Sequence, residues 1–159
     1  MYTKTLAAVG AGVFMGVLLS VALMFSFAPR VMITESISQY DYDETIERLV
    51  NTAENAGWSI PKVHNLQKAV KKAGYEVKPT RVLELCKPEH AGKILADNDS
   101  KIVSSMMPCR VSVYENDGGQ VIISRMNTFL MSSLFNQNIS SVMAEASHET
   151  EQLLEEVIK

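Results

Sequence analysis

The chain has 159 residues, with 15 Lys and Arg against 18 Asp and Glu, for a formal net charge of −3. That acidic balance gives no electrostatic footprint for DNA or RNA, so nucleic acid is not a partner. A 47% hydrophobic content excludes disorder over most of the chain, and two cysteines are too few for a disulfide scaffold or a four-cysteine zinc site.

The apolar residues are unevenly spread. Leu6 to Ala28 is a run of 23 residues without a charge. A helix rises about 1.5 Å per residue and the hydrocarbon core is about 30 Å thick, so roughly 20 such residues span it. The run exceeds the apolar region of a cleaved signal peptide, about 7–15 residues. Ser26-Phe27-Ala28, its best cleavage-like triplet, is followed by Pro29. Residues 1–30 therefore read as a retained single-pass transmembrane anchor in the lipid bilayer. Lys4 and the α-amino group precede the span and Arg30 follows it. The positive-inside rule then puts the N-terminus in the cytoplasm and the domain in the periplasm or outside the cell. Ala8, Gly12, Gly16 and Ser20 recur every four residues. Such a stripe of small side chains lets helix backbones approach closely, so it is a candidate contact with itself or with another membrane subunit.

Residues 31–159 form the second part, an α+β domain large enough for one core. No long linker separates it from the span. Val31–Ser38 reads as a strand. Asp41 caps the next helix, with Glu44 three residues on as a capping box, an apolar stripe of Ile46, Leu49, Val50 and Ala53, and Gly57 as the stop. Trp58–His64 reads as a strand, Gln67–Ala73 as a short helix and Thr80–Cys86 as a third strand. Pro88 opens a short helix through Leu95. Cys109–Glu115 and Gln120–Arg125 are strands joined by the turn Asn116-Asp117-Gly118-Gly119, whose residues tolerate positive φ. Asn138 or Ser140 opens a last helix with a stripe of Val142, Met143, Ala146, Leu153, Leu154 and Val157. The order is strand, helix, four strands, helix, with two small helices inserted. It predicts an antiparallel or mixed sheet with two main helices on one face. Phe129, Leu130, Met131, Leu134 and Phe135 make an unusually apolar connection, either core closure or a pocket wall or dimer surface.

The candidate chemistry centres on sulfur. Cys86 stands at a strand end just before a helix start, where a thiol meets unpaired backbone N–H groups. Cys109 opens a strand on the same face as Val111 and Val113. Both could be small core residues, a disulfide, or ligands. Cys86 and His90 are four residues apart across a helix start, and Met107 adds a thioether beside Cys109. Cys86, His90, Met107 and Cys109 are therefore the candidate cofactor-binding set, suited to a soft metal such as Cu(I) or to haem axial ligation. No CxxCH, CxxC or HExxH motif occurs, nor an esterase elbow, a P-loop or a dinucleotide-binding fingerprint. His64, His90 and His148 are too scattered for a triad. His148, among Glu145, Glu149 and Glu151, reads as part of a solvated helix face, and Glu151, Glu155 and Glu156 as surface. Asn98 and Asn138 match the short glycosylation acceptor pattern.

The strings Arg81–Ala91, with Leu85-Cys86-Lys87-Pro88 at its centre, and Met107-Pro108-Cys109-Arg110 through Tyr114, followed by Met126-Asn127, resemble the domain-of-unknown-function family number 302 over about residues 34–158. The resemblance implies a fold of the TATA-binding-protein type, commonly dimeric. It implies no reaction, since fold does not carry function. The leading functional expectation is a membrane-anchored, non-enzymatic accessory or binding subunit of a membrane-associated assembly, as a homodimer or with other membrane subunits. A redox, metal or haem-binding carrier using Cys86 and Cys109 is the alternative.

Overall fold

The computed structural model describes the backbone of residues 2–159 and the side chains of residues 12–28 and 30–159. The chain divides into two compact units, residues 1–32 and residues 33–159.

The first unit is helix α1, Tyr2–Met32. Pro29 lies inside it, and Val31 and Met32, which the pattern assigns to the first strand, complete its last turn. The strand begins only at Ile33, the first residue with a sheet partner, Met126. Of the uncharged run, residues 6–11 lie outside the described side chains, and so does Ala8 of the small-residue stripe. Among the described residues, no helix is long and apolar enough to cross a membrane. Gly12 and Gly16 open onto empty space, and Ser20 Oγ donates back to the Gly16 carbonyl at 2.9 Å within the same helix.

The second unit is α+β. Its elements are β1 Ile33–Ile37, α2 Tyr42–Asn55, β2 Val63–Asn65, α3 Leu66–Lys71, β3 Thr80–Leu85 and α4 Pro88–Leu95. A 3-10 helix Asp99–Met106, then β4 Cys109–Glu115, β5 Val121–Met126, α5 Thr128–Ser132 and α6 Gln137–Glu155 complete it. The sheet has five strands in the order β1-β5-β4-β3-β2, and every pairing is antiparallel.

Local chemistry sets most of these boundaries. Asp41 accepts a hydrogen bond from the Glu44 N–H at 2.9 Å and starts α2. The return half of the capping box is not made, because the Glu44 carboxylate takes Arg48 one turn later at 2.8 Å. Gly57 sits at φ +80°, where a Cβ would be strained, and ends that helix. The strand expected over 58–64 shortens to β2. Pro61 has no N–H to give a ladder, Trp58 turns into the core, and Ser59 alone bridges to Cys86. The last helix starts earlier than either expected residue, because Asn136 is the cap and accepts from the Ile139 N–H at 3.0 Å. Asn127 caps α5 in the same way through the Leu130 N–H.

Two apolar clusters hold the unit. The larger joins Leu49 and Ala53 of α2, the helix-facing residues Leu83, Leu85, Val111, Val113 and Ile123 of the sheet, and Leu153 and Leu154 of α6. The smaller joins Ile94 and Val103 to Ile139, Val142 and Met143 of α6, with Met131 and Phe135 packed against it. The apolar connection thus splits: Met131 and Phe135 close the core, whereas Phe129, Leu130 and Leu134 are exposed. Beside exposed Ile33, Ile37 and Met126, the other face of the sheet carries two polar pairs, with Tyr114 donating to Glu35 at 2.6 Å and His64 bonded to Glu84 at 2.8 Å. The first of these pushes the Tyr114 phenol up to about 12, chiefly because the bond favours the protonated form.

Candidate functional site

A cavity of about 90 Å³ lies at the seam between the two apolar clusters. Trp58, Leu85 and Ala146 bound it from the larger cluster, and Ile94, Val103 and Val142 from the smaller. All four sequence candidates, Cys86, His90, Met107 and Cys109, line it together.

Each arrives there for a local reason. Cys109 pairs with Leu85 across β3 and β4, and therefore shares Leu85's core-facing side. Cys86 follows Leu85 directly, so the two cysteines occupy neighbouring strand ends. Both are free thiols and half-buried. Burial, reinforced by the nearby Cys86, pushes the Cys109 thiol up. Pro88 starts α4 immediately after the strand, and the third position of that helix, His90, turns inward and is 7% exposed. Met107 precedes Pro108 across a cis peptide bond.

His90 is the polar centre of the wall. Its Nε2 stands 3.3 Å from Glu149 Oε2 and its Nδ1 3.8 Å from Glu145 Oε2, within ion-pair range. Neither ring nitrogen meets hydrogen-bond geometry with any described residue. Both nitrogens face carboxylates of α6, and neither Glu145 nor Glu149 lines the cavity. Its ring stacks obliquely on Trp58, with centroids 5.8 Å apart.

Two of the three cations lining the cavity, Lys87 and Arg125, are bound to carboxylates of α6, whereas Arg110 is exposed and lies 3.9 Å from Glu84. Lys87 Nζ donates to Glu149 Oε2 at 2.6 Å and lies 5.8 Å from the centre of the Trp58 ring, while Trp58 Nε1 donates to the same oxygen at 3.2 Å. Burial pushes the Glu149 carboxyl up, but the bond from Lys87 and the neighbouring His90 outweigh it and hold the group below its usual range. Lys93 donates to Glu145 at 2.8 Å and lowers that carboxyl also. Arg125 projects from β5 towards the helices and is 7% exposed; its Nε and a terminal nitrogen donate to the two oxygens of Glu151, and another donates to Ser36 Oγ at 2.8 Å.

Glu149 and Glu151 were not legible as site residues. Their spacing on α6 is that of a solvated stripe, and only the packing of α4 and β5 against α6 turns them inward. His148 between them is exposed, as its pattern predicts. Asn138 spends its amide on Ser100 Oγ at 2.9 Å, tying the start of α6 to the 3-10 helix.

Among the described residues, no three His, Cys, Asp or Glu side chains stand together so as to hold a metal ion.

Comparison with known proteins follows the fold. A family model described as "Domain of unknown function DUF302" matches residues 33–158. A search of curated proteins finds no match. The solved structure of an uncharacterized conserved DUF302 protein from Bacillus stearothermophilus is similar at 20% identity with a TM-score of 0.70, covering 78% of this chain and 96% of that one. At that identity the likeness carries the fold alone. That relative consists of little besides the matched part, in keeping with residues 33–159 folding as a unit by themselves.

Proposed function

The chain belongs to the DUF302 family, and because membership brings no reaction with it, we propose from the cavity that this member is a non-enzymatic binding subunit, anchored to a membrane by its N-terminal helix and serving a membrane-associated assembly. One observation carries the reading: four residues singled out for their chemistry, Cys86, His90, Met107 and Cys109, line a single apolar-walled cavity. A concave, mostly apolar pocket with a few converging polar groups is the usual form of a small-molecule site. The anchor rests on the uncharged run Leu6–Ala28, and the outward orientation on its flanking charges. The open Gly12 and Gly16 support helix–helix contact, and the exposed Phe129, Leu130 and Leu134 support contact between domains, so the expected assembly is a homodimer or a complex with other membrane subunits. Gentle solubilisation from the native membrane followed by a size measurement tests this. A complex larger than the monomer is expected, and a lone monomer across several detergents contradicts it. Protease added to intact spheroplasts should degrade the domain; protection until lysis would put it in the cytoplasm.

A second reading is a thiol-based carrier, favoured by two free cysteines on one cavity wall. It predicts bound metal or visible absorption in the purified protein. A colourless, metal-free protein whose Cys86→Ser and Cys109→Ser variants behave as wild type eliminates it.

A further inference from the structure

The membrane reading leaves open what meets the exposed apolar surface of the domain itself. Resting on that reading, we propose that Ile33, Met126, Phe129, Leu130 and Leu134 form a docking surface for the lipid bilayer, so that the domain lies against the membrane its helix enters.

Three observations converge on a lipid surface. The first is where the side chains stand. Ile33 opens β1 and pairs with Met126, which closes β5, so both lie at one end of the sheet. Helix α5 starts two residues beyond Met126 and carries Phe129 and Leu130, and Leu134 follows it. All five are exposed, Phe129 at 67%. Apolar patches on a protein surface mark contacts with another protein or with a membrane. The second is the absence of charge around them. From Met126 to Ala144 the chain runs 19 residues without a charged side chain. Such a surface settles at the headgroup boundary without desolvating an ion. The third is the position in the chain. Every side chain described from Gly12 to Phe27 is exposed, Phe14, Leu19 and Phe25 among them. A helix apolar on all sides belongs in a protein core or a bilayer, and these side chains have no core around them. Arg30, in the last turn of that helix, marks the headgroup level. Ile33 comes three residues later, and three residues of chain reach at most about 11 Å. One member of the patch is thereby held at the bilayer surface, whereas helix–helix contact through Gly12 and Gly16 can carry the assembly without the patch.

The experiment reconstitutes the full chain into phosphatidylcholine vesicles and places a tryptophan in the patch as Leu134→Trp, with Leu130→Trp as a second probe. The sole native tryptophan, Trp58, is buried and serves as the background. Phosphatidylcholine brominated high on its acyl chains is expected to quench about half of the added emission and to leave wild-type emission unchanged. The quenching should persist from about 0.1 to about 1 M salt, because no charge takes part. Adding Phe129→Asp should cut it severalfold. Tyr75→Trp, exposed just after α3 and so beside the opposite edge of the sheet, should stay unquenched. Emission that is blue-shifted but unquenched, and that reddens as the protein is diluted in lipid, assigns the patch to a second domain and overturns the proposal. Red emission quenched by iodide, or equal quenching of Tyr75→Trp, overturns it also. These results leave the anchor reading standing, since the chain is still in the vesicles. Vesicles that float without the chain overturn the anchor and the proposal together.

Discussion

Replacing Glu151 with Gln tests whether the charges around the cavity neutralise one another. Arg125 is a guanidinium at 7% exposure whose donors go to both oxygens of Glu151 and to Ser36. Removing one partner of a fully buried ion pair costs about 3–5 kcal/mol, because the other charge is left behind. Glu151 is 46% exposed, so water reaches the gap, and the glutamine carbonyl still accepts one bond. The expected loss is therefore smaller, about 1–3 kcal/mol. Urea unfolding of residues 33–159, followed by Trp58 emission, should show the midpoint falling by about 1 M at a typical slope. Adding Arg125→Met to Glu151→Gln should recover much of the loss, since it removes the buried guanidinium that the first change left uncompensated. A Glu151→Gln midpoint equal to wild type refutes the reasoning: the guanidinium would then not depend on this carboxylate, and the cavity would present a free cation.

Three further outcomes follow from the packing and the ionisations. Phe135→Asp should cost about 3 kcal/mol or more, because Phe135 packs on the smaller cluster, whereas Leu134→Asp, at 78% exposure, should stay within about 0.5 kcal/mol; the same urea titration separates them. The Cys109 thiol, raised by burial and by Cys86, should react with iodoacetamide at pH 8 far more slowly than a free thiol, and reach the free rate in urea, as peptide mapping with time reads out. Glu149 is held below its usual range, so its contribution to stability is complete above the unfolded value of 4.5 and is lost as pH falls through the lower folded value. Wild type should therefore weaken on acidification below about pH 5 more steeply than Glu149→Gln, as measured by thermal melts across that range.

How much of this was legible in the sequence depends on whether the signal was local. The cap at Asp41, the alternation in Cys109–Glu115 and the turn at Asn116–Gly119 are settled by neighbouring residues, and these elements stand where the pattern puts them. Around Pro61 the apolar residues mimic a strand, but the missing N–H and the inward turn of Trp58 leave only three paired residues. The 3-10 helix at Asp99–Met106 and the short α5 have too few turns to show a period, and Asn127 reads as a loop residue until its cap bond is seen. At the site, the sulfur residues and His90 stood out by type. Glu149 and Glu151 did not, because a glutamate on a polar helix stripe becomes a partner of Trp58, Lys87 or Arg125 only through packing between elements distant in sequence.

The central claim is that the cavity beside His90 holds a ligand in the native protein. Native mass spectrometry of the full chain, released gently from its own membrane, tests it most directly, with the wild type beside Ala91→Phe, which fills the cavity from α4. Wild type is expected to carry an additional small organic mass that denaturation releases and that the variant lacks. Two bare chains, or the same adduct on both, would contradict the account.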